Sequence, residues 1–229
     1  MPKRKVKKRK LKIIPFLIII LVLLILGVLL KLYLDRPIQN IVINGTKYIN
    51  DDYILEQANL KDYPSFFKTF SFNVEKQLKK SIYIKDVKVR KKLFRTINIK
   101  VKENRPLFYD NYNNKTVFEN HKSTNQDELI YNFNIPRLVN YIPKEKYNDF
   151  IDGMNKINDD ILVKISDIEY KRTDLDDERF LLYMNDGNEV YITITKFDKI
   201  NYYNDVVVQL EGHKGILYLD NGNHFEIKK

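Results

Sequence analysis

The sequence predicts an α+β protein with a single N-terminal transmembrane helix, followed by exported domains that combine short helices with β-hairpins. Three observations support this fold class. The run 13–34 is almost purely apolar. Beyond it, short segments with apolar residues at every second position alternate with segments of helical periodicity. Turn sequences that contain Asn-Gly or Asp-Gly then recur between paired strand-like segments, which is typical of hairpins.

The first thirty residues contain a basic block followed by an uncharged apolar run. Eight of the first twelve residues are Lys or Arg, and from Ile13 to Leu30 only Pro15 and Gly27 are not Ile, Leu, Val or Phe. A helix of this length, at about 1.5 Å per residue, spans roughly 27 Å, close to the ~30 Å hydrocarbon core. The positive-inside rule keeps the basic side in the cytoplasm. We therefore predict a cytoplasmic tail (1–12), a transmembrane helix (13–34) and an extracellular C-terminus.

A cleavable signal peptide is the main alternative for this segment. Its apolar region would be about 7–15 residues long and would end at a small-residue cleavage site. Here the run is longer and leads into Lys-Leu-Tyr-Leu-Asp-Arg at 31–36, with no small-residue site, so we expect it to be retained as an anchor. Nucleic acid is not an expected partner: without the tail, 32 basic residues face 30 acidic ones, and the tail itself lies beside the membrane.

The first exported segment predicts the order strand, helix, helix, strand, strand. Pro37 ends the anchor helix because the residue before a proline avoids helical geometry. A strand over 38–43 follows and closes at the turn Asn44-Gly45. Asn50 is predicted to cap a short helix over 51–59.

A second helix and a hairpin complete this segment. Ser71 is predicted to cap the helix, which runs through Lys80, and strands over 82–90 and 96–103 are predicted to pair through a turn at 91–94. The expected apolar face of the helix consists of Phe72, Val74, Leu78 and Ile82. The expected buried strand positions are Ile84, Val87, Val89, Ile97, Ile99 and Val101.

These residues, directly after a single anchor, resemble a POTRA domain of the bacterial cell-division family FtsQ, called DivIB in Gram-positive organisms. The matching stretches are IQNIVINGTKYINDDYI at 38–54 and IYIKDVKVRKKLFRTINIKVKENRP at 82–106. The family usually carries a proline in the hairpin near Phe94, and this chain does not. The resemblance implies a POTRA domain over 36–105.

The remaining chain, 106–229, resembles the β domain of the same family, a mixed α/β unit of hairpins and helices. We predict helices over 144–158 and 196–210 and a polar loop over 121–128. The predicted strands are 107–109, 115–119, 161–170, 180–184, 189–194, 215–219 and 224–227. The last four form two hairpins, and the joint order of these elements carries the resemblance.

The side chains favour a protein without catalytic, cofactor or metal sites. No cysteine is present, which excludes disulfides and the thiolate chemistry of sortase-type transpeptidases. His121, His213 and His224 are isolated, lack metal-ligand spacing and are expected at the surface. The acidic runs Asp159-Asp160 and 174–178 are interpreted as solvated surface. We therefore predict that the chain is not an enzyme.

The resemblance implies a membrane scaffold at the division septum. Its partners would be the small coiled-coil division proteins of the FtsB/DivIC and FtsL type, bound by addition of a strand to a sheet edge. The implied docking edge is the terminal hairpin, at Leu219, Asn221, Gly222, Phe225 and Ile227. The structural alternative is that Phe225 and Ile227 complete a core. The first strand of the POTRA part is a second candidate surface.

Two other functions stay open. A membrane-anchored protein that binds the cell wall, or an enzyme acting on it, would make peptidoglycan a partner, and hydrolysis would need carboxylates that converge on a cleft. A role in outer-membrane protein assembly is disfavoured because no barrel-like series of strands follows the POTRA segment.

Overall fold

The computed structural model describes residues 13–125 and 134–228. The basic tail 1–12 and the end of the predicted loop at 126–128 lie outside the described residues. Helix α1, Ile13–Leu34, is about 33 Å long at 1.5 Å per residue. Within Ile14–Leu34 the most apolar stretch has a mean hydropathy of 3.1, and none of its residues is buried against the rest of the protein. Helix α1 is therefore long and apolar enough to cross a membrane.

A three-stranded sheet with two helices follows α1. Its elements are β1 (Asn40–Asn44), α2 (Asp51–Gln57), α3 (Ser71–Leu78), β2 (Ile84–Lys92) and β3 (Thr96–Glu103). The strand order is β1-β3-β2, with β3 parallel to β1 and antiparallel to β2. This is the predicted order of elements, and all six predicted strand positions on the inner face are buried.

Of the two predicted helix caps, one is confirmed and one is wrong. Asn50 caps α2 through its side-chain oxygen, which accepts the backbone N–H three residues on at 2.8 Å. Ser71 is instead the first helical residue of α3, and Phe70 occupies the cap position without a side-chain hydrogen bond. Glu75, on the next turn of α3, accepts the backbone N–H of Val89 at 2.7 Å and thereby ties α3 to β2.

The predicted apolar face of α3 is wrong at one end. Val74 and Leu78 are buried, whereas Phe72 is 69% exposed. Residues four apart lie on one helix face, so α3 turns Val74 and Leu78 toward the sheet and Phe72 away from it. Ile82 lies beyond the helix and is half-buried.

The described residues after β3 form a nine-stranded mixed sheet with helices packed beside it. Its strands are β4 (Pro106–Asp110), β5 (Lys115–Phe118), β6 (Ser123–Asn125), β7 (Arg137–Leu138), β8 (Ile165–Tyr170), β9 (Arg179–Met184), β10 (Glu189–Thr193), β11 (Gly215–Tyr218) and β12 (His224–Ile227). The order is β12-β11-β10-β9-β8-β7-β4-β5-β6, so β12 and β6 are its edges. The pairs β4–β7, β7–β8 and β10–β11 are parallel.

Several predictions in this part need correction. The predicted polar loop contains β6, whose polar side chains suit an exposed edge strand paired with β5. The predicted strand 161–170 begins at Ile165, because a helical turn, α5 (Asp159–Leu162), precedes it. The predicted helix 196–210 is a 3-10 helix, Ile194–Tyr202, followed by α6 (Tyr203–Gln209).

The 3-10 segment has a visible cause in the spacing of its apolar residues. Ile194, Phe197, Ile200 and Tyr203 recur every three residues and are all buried. A helix with three residues per turn places such a series on one face. Helix α4, Lys144–Asn155, packs beside it and is shorter than the predicted 144–158.

Two apolar cores support the two sheets. The larger lies under the nine-stranded sheet, where the rings of Phe150 and Phe180 stack with centroids 4.7 Å apart. The smaller belongs to the three-stranded sheet, yet it includes Phe118 of β5, whose ring meets Tyr83 edge-on at 5.5 Å. Because Phe118 joins the two parts, the domain limits 36–105 and 106–229 stay predictions.

Candidate functional site

The terminal hairpin forms one edge of the nine-stranded sheet. β11 pairs antiparallel with β12 from Gly215 opposite Ile227 to Tyr218 opposite His224. β12 is last in the strand order, and within residues 13–125 and 134–228 no strand pairs with its outer side. Such an edge offers backbone N–H and C=O groups to another chain.

The hydrogen-bond register identifies which backbone groups face outward. Lys228 donates its backbone N–H to the carbonyl of Lys214 at 2.9 Å, so these two residues form a hydrogen-bonded pair. Hydrogen-bonded pairs alternate along an antiparallel ladder, so the residues two and four positions before Lys228 also turn their backbone groups toward β11. The N–H and C=O groups of Phe225 and Ile227 therefore point away from the sheet.

The structure brings the five predicted site residues together on this hairpin. Leu219 is buried in the core at the end of β11, and Phe225 is half-buried against the same core. Ile227 is 53% exposed. Asn221 and Gly222 are exposed in the connecting turn, where Gly222 has a φ of +89°. The alternative that these two residues complete a core therefore holds in part for Phe225, and it does not hold for Ile227.

An apolar groove of about 720 Å³ runs beside the hairpin, between β11–β12 and the helices. The side chains that line it include Tyr202, Val206, Leu210, Leu217, Leu219 and Phe225. Sequence reasoning missed this groove. The sequence predicts a helix over 196–210, but no signal in the sequence shows that the hairpin leaves space beside that helix.

A partly buried ion pair fixes the turn of the hairpin. Arg179 on β9 donates from Nε to Asp220 at 2.6 Å, and the two side chains are 16% and 9% exposed. The guanidinium of Arg179 also lies 3.7 Å from the ring centroid of Tyr191. Lys196 donates to the backbone carbonyl of Asp220 at 2.8 Å. Arg179 and Lys196 both hold the turn at Asp220, and this fixes the orientation of β12 relative to the rest of the sheet.

A second hydrogen-bond chain holds the start of β11. Gly215 donates its backbone N–H to Asn188 at 2.9 Å, Asn188 donates to the Tyr203 hydroxyl at 2.9 Å, and that hydroxyl donates to Asp186 at 2.8 Å. Burial raises the pKa of Tyr203, which keeps its hydroxyl protonated as a donor. Gly215 is required here because a Cβ would lie 1.9 Å from the carbonyl oxygen of Glu226 on β12.

A polar cleft of about 640 Å³ lies where the two sheets meet. Arg105 donates to the backbone carbonyls of Ile157 at 2.7 Å and Asn155 at 3.1 Å, and to Asp159 at 2.8 Å. The hydrogen bond from Arg105 holds the pKa of Asp159 below its ordinary value. Asp159 is exposed, as predicted for an acidic surface run, but it also pairs with Lys47 at 3.5 Å.

The histidines and the buried carboxylate of Asp110 take part in local contacts. In the part of the chain that the structure describes, no group of three or more His, Asp or Glu side chains could hold a metal ion. All three histidines are exposed, as predicted, and His121 pairs with Asp152 at 2.9 Å. The buried carboxylate of Asp110 accepts hydrogen bonds from Tyr147 and from Asn113 within its own turn.

Comparison with known proteins identifies the family. Residues 36–104 match the model of the POTRA domain, FtsQ-type. The chain is 30% identical to the cell division protein DivIB of Bacillus cytotoxicus, over 98% of this chain and 91% of the relative. It is also 30% identical to DivIB of Geobacillus kaustophilus, over 98% of this chain and 88% of the relative.

Among solved structures, the major extracytoplasmic domain of the trans isomer of DivIB from Geobacillus stearothermophilus matches with a TM-score of 0.40 and 26% identity. That match covers 48% of this chain and 96% of the solved chain. The POTRA match and the near full-length relatives carry the assignment. The chain belongs to the DivIB family of bacterial cell-division proteins.

Proposed function

We propose that the chain is a non-enzymatic membrane scaffold of the division machinery, and that it binds partner division proteins of the FtsB/DivIC and FtsL type by strand addition at β12. In this proposal α1 crosses the cell membrane once, with the N-terminus in the cytoplasm, and both sheets lie outside the cell at the septum. One observation carries the proposal: an edge strand with outward-facing backbone groups lies beside an apolar groove.

Stable binding of a partner at β12 requires both backbone hydrogen bonds at the edge and apolar contacts in the groove. Phe225 and Ile227 together offer two N–H and two C=O groups, and a net hydrogen bond contributes about 0.5–1.5 kcal/mol. Four such bonds give about 2–6 kcal/mol, which is less than the roughly 8 kcal/mol of a micromolar complex even before the cost of association. The remainder must come from apolar side chains of the partner that cover Ile227 and enter the groove.

The proposal therefore specifies the chemistry of the partner segment. An added strand places alternate side chains on the two faces of the sheet. Those on the face of Phe225 and Ile227 would be apolar, because they meet the groove. Those on the other face would meet His224 and Glu226, which are exposed, and would be polar.

A proline at Ile227 tests strand addition directly. Ile227→Pro removes an outward N–H, and the ladder with β11 does not use this donor, so an edge strand tolerates the change. We expect the full-length chain in detergent micelles to bind a purified DivIC-type or FtsL-type partner about tenfold more weakly, the equivalent of one lost backbone bond. Phe225→Asp, which places a charge in the groove, is expected to abolish binding.

Two control variants separate the backbone from the side chain. Ile227→Thr keeps the N–H and the β-branched shape, so it should weaken binding less than Ile227→Pro. Val208→Lys changes an apolar residue on α6 that is 80% exposed and outside the groove, and it should leave binding unchanged. Circular dichroism checks that each variant is folded. Undiminished binding by folded Ile227→Pro and Phe225→Asp would refute docking at β12.

A further inference from the structure

The C-terminal end of α1 is attached to the three-stranded sheet through the loop that precedes α3. The ring of Tyr33 packs on Phe67 with centroids 4.8 Å apart. Ser65 donates its hydroxyl to the carbonyl of Leu34 at 2.5 Å and forms an antiparallel bridge with Pro37. Because Tyr33 and Leu34 are the last residues of α1, this loop lies where the helix ends.

The turn between β2 and β3 lies at the same end of the sheet. Gln39 donates its backbone N–H to the carbonyl of Arg95 at 3.0 Å, and Arg95 donates to the carbonyl of Pro37 at 3.2 Å. β1 and β3 run parallel from Asn40 opposite Thr96, so both strands lead away from α1. The turn is therefore the end of the sheet nearest to the apolar helix.

Three large apolar side chains are exposed at this end. Leu93 and Phe94 at the tip of the turn are each 81% exposed, and Phe70 is 63% exposed. Lys91 of β2 places Phe70 near this end of the sheet, since its Nζ lies 5.9 Å from the ring centroid of Phe70. Phe94 adopts a φ of +56°, a left-handed conformation that bulky residues rarely adopt. We call Phe70, Leu93 and Phe94 the juxtamembrane patch.

Exposed cations flank the patch. Arg90 and Lys92, near the end of β2, are both exposed, and the described residues give neither a salt bridge. Aromatic and aliphatic side chains beside Lys or Arg are typical of segments that lie in the interface of a bilayer, where the rings enter the headgroup region and the cations meet lipid phosphates. The position of this composition next to the end of α1 favours the bilayer as its partner.

We propose that the juxtamembrane patch inserts into the outer leaflet of the bilayer that α1 crosses, with Arg90 and Lys92 at the level of the lipid phosphates. This inference depends on the proposed crossing by α1. The exported part would then be attached at the helix and at the hairpin tip. Two attachments fix its tilt, so that β12 is presented at a constant height and orientation above the membrane.

The sequence allows a clean test, because the chain contains no Trp and no Cys. Phe94→Trp introduces a single tryptophan at the hairpin tip. The full-length variant is reconstituted into vesicles of equal parts phosphatidylcholine and phosphatidylglycerol, and its emission is quenched with lipids brominated at shallow or deep acyl positions. We expect a blue-shifted emission and stronger quenching by the shallow bromine, since interfacial side chains lie about 5–10 Å into the headgroup boundary.

Two further single-tryptophan variants are the controls. Leu23→Trp lies in the middle of α1 and should be quenched most by the deep bromine. Leu175→Trp lies in a fully exposed loop, which Lys146 near the N-terminal end of α4 holds through an ion pair with Asp177 at 2.8 Å. The other end of α4 is the one near the three-stranded sheet, since the carbonyl of Asn155 accepts a hydrogen bond from Arg105, two residues after β3. The tryptophan of this second control should escape both quenchers.

The controls distinguish the two proposals. If Leu23→Trp is quenched and Phe94→Trp behaves like Leu175→Trp, insertion of the patch is refuted while the crossing by α1 stands. If Leu23→Trp is not quenched, the crossing itself is wrong. Phe70→Trp provides a second position in the patch and should follow Phe94→Trp, so a local effect of one substitution cannot decide the result.

Discussion

Replacement of Arg105 by Met would remove a side chain that ties the segment after β3 to the end of α4. Its guanidinium donates to two backbone carbonyls at the end of α4 and to Asp159. Each carbonyl bond contributes about 0.5–1.5 kcal/mol, and the ion pair with a half-exposed carboxylate contributes at most about 1 kcal/mol. Met retains the packing of the aliphatic stem. We therefore expect the free energy of unfolding of the part that contains the two sheets to fall by about 1–4 kcal/mol.

Lys47→Met is the matched control, because Lys47 pairs with the same carboxylate. That pair spans 3.5 Å, and both side chains are more than half exposed, at 64% and 56%. Exposed pairs of this kind contribute about 0.5 kcal/mol. Urea denaturation of the full-length chain in micelles, followed by circular dichroism, measures both variants. Equal losses for Arg105→Met and Lys47→Met would refute the dominant role of the Arg105 guanidinium.

The pH dependence separates the two kinds of contact made by Arg105. The pKa of Asp159 is lowered in the folded state, chiefly by its hydrogen bond to Arg105. The stability from this pair is therefore complete above the ordinary carboxyl pKa and is lost as the pH falls through the lowered value. The difference between wild type and Arg105→Met should shrink in acid but not vanish, since the carbonyl bonds remain.

Two further predictions concern the backbone and the buried hydroxyl. Gly45→Ala forces a Cβ to 2.2 Å from the carbonyl oxygen of Val101 at a φ of +91°, whereas Gly187→Ala meets open space at a φ of +90°. Thermal unfolding should therefore show a cost of about 1–2 kcal/mol for Gly187→Ala and about 1–3 kcal/mol more for Gly45→Ala; equal costs would contradict the clash. Tyr203→Phe should cost about 1–3 kcal/mol in the same assay, because buried Asn188 loses its acceptor, and a neutral result would contradict that role.

Local periodicity predicted the strands where one face is buried. Ile97, Ile99 and Val101 alternate with polar residues and are all buried in β3. The terminal hairpin was predicted in the same way, from two apolar segments around a turn with Gly222, and its pairing is confirmed. In these places the nearest neighbours in sequence determine the face that each side chain takes.

The errors arise where packing partners are distant in sequence. The eight residues of α3 allow more than one apolar face, and contact with β2 decides that Phe72 is excluded. Phe118 joins the core of a sheet that lies earlier in the chain. Arg105 contacts residues about fifty positions later, and no local pattern marks it as a connector.

At the candidate site, too, the local element was predictable from the sequence, whereas the feature that depends on distant contacts was not. The edge strand followed from the hairpin around Gly222, together with a resemblance to a family. The groove beside it depends on the distance between the hairpin and the helical layer, which Lys196 of the 3-10 helix helps to set through its hydrogen bond to the carbonyl of Asp220. These two residues are 24 positions apart, so the groove is visible only in the folded chain.

The most direct test of partner binding at β12 is hydrogen exchange at single amides of the full-length chain, with and without a DivIC-type partner. In the free chain the amides of His224 and Glu226 should exchange slowly, because they bond to β11, while those of Phe225 and Ile227 should exchange fast. Strand addition predicts that the partner slows exchange at Phe225 and Ile227. A bound partner that leaves these two amides as fast as in the free chain would contradict docking at this edge.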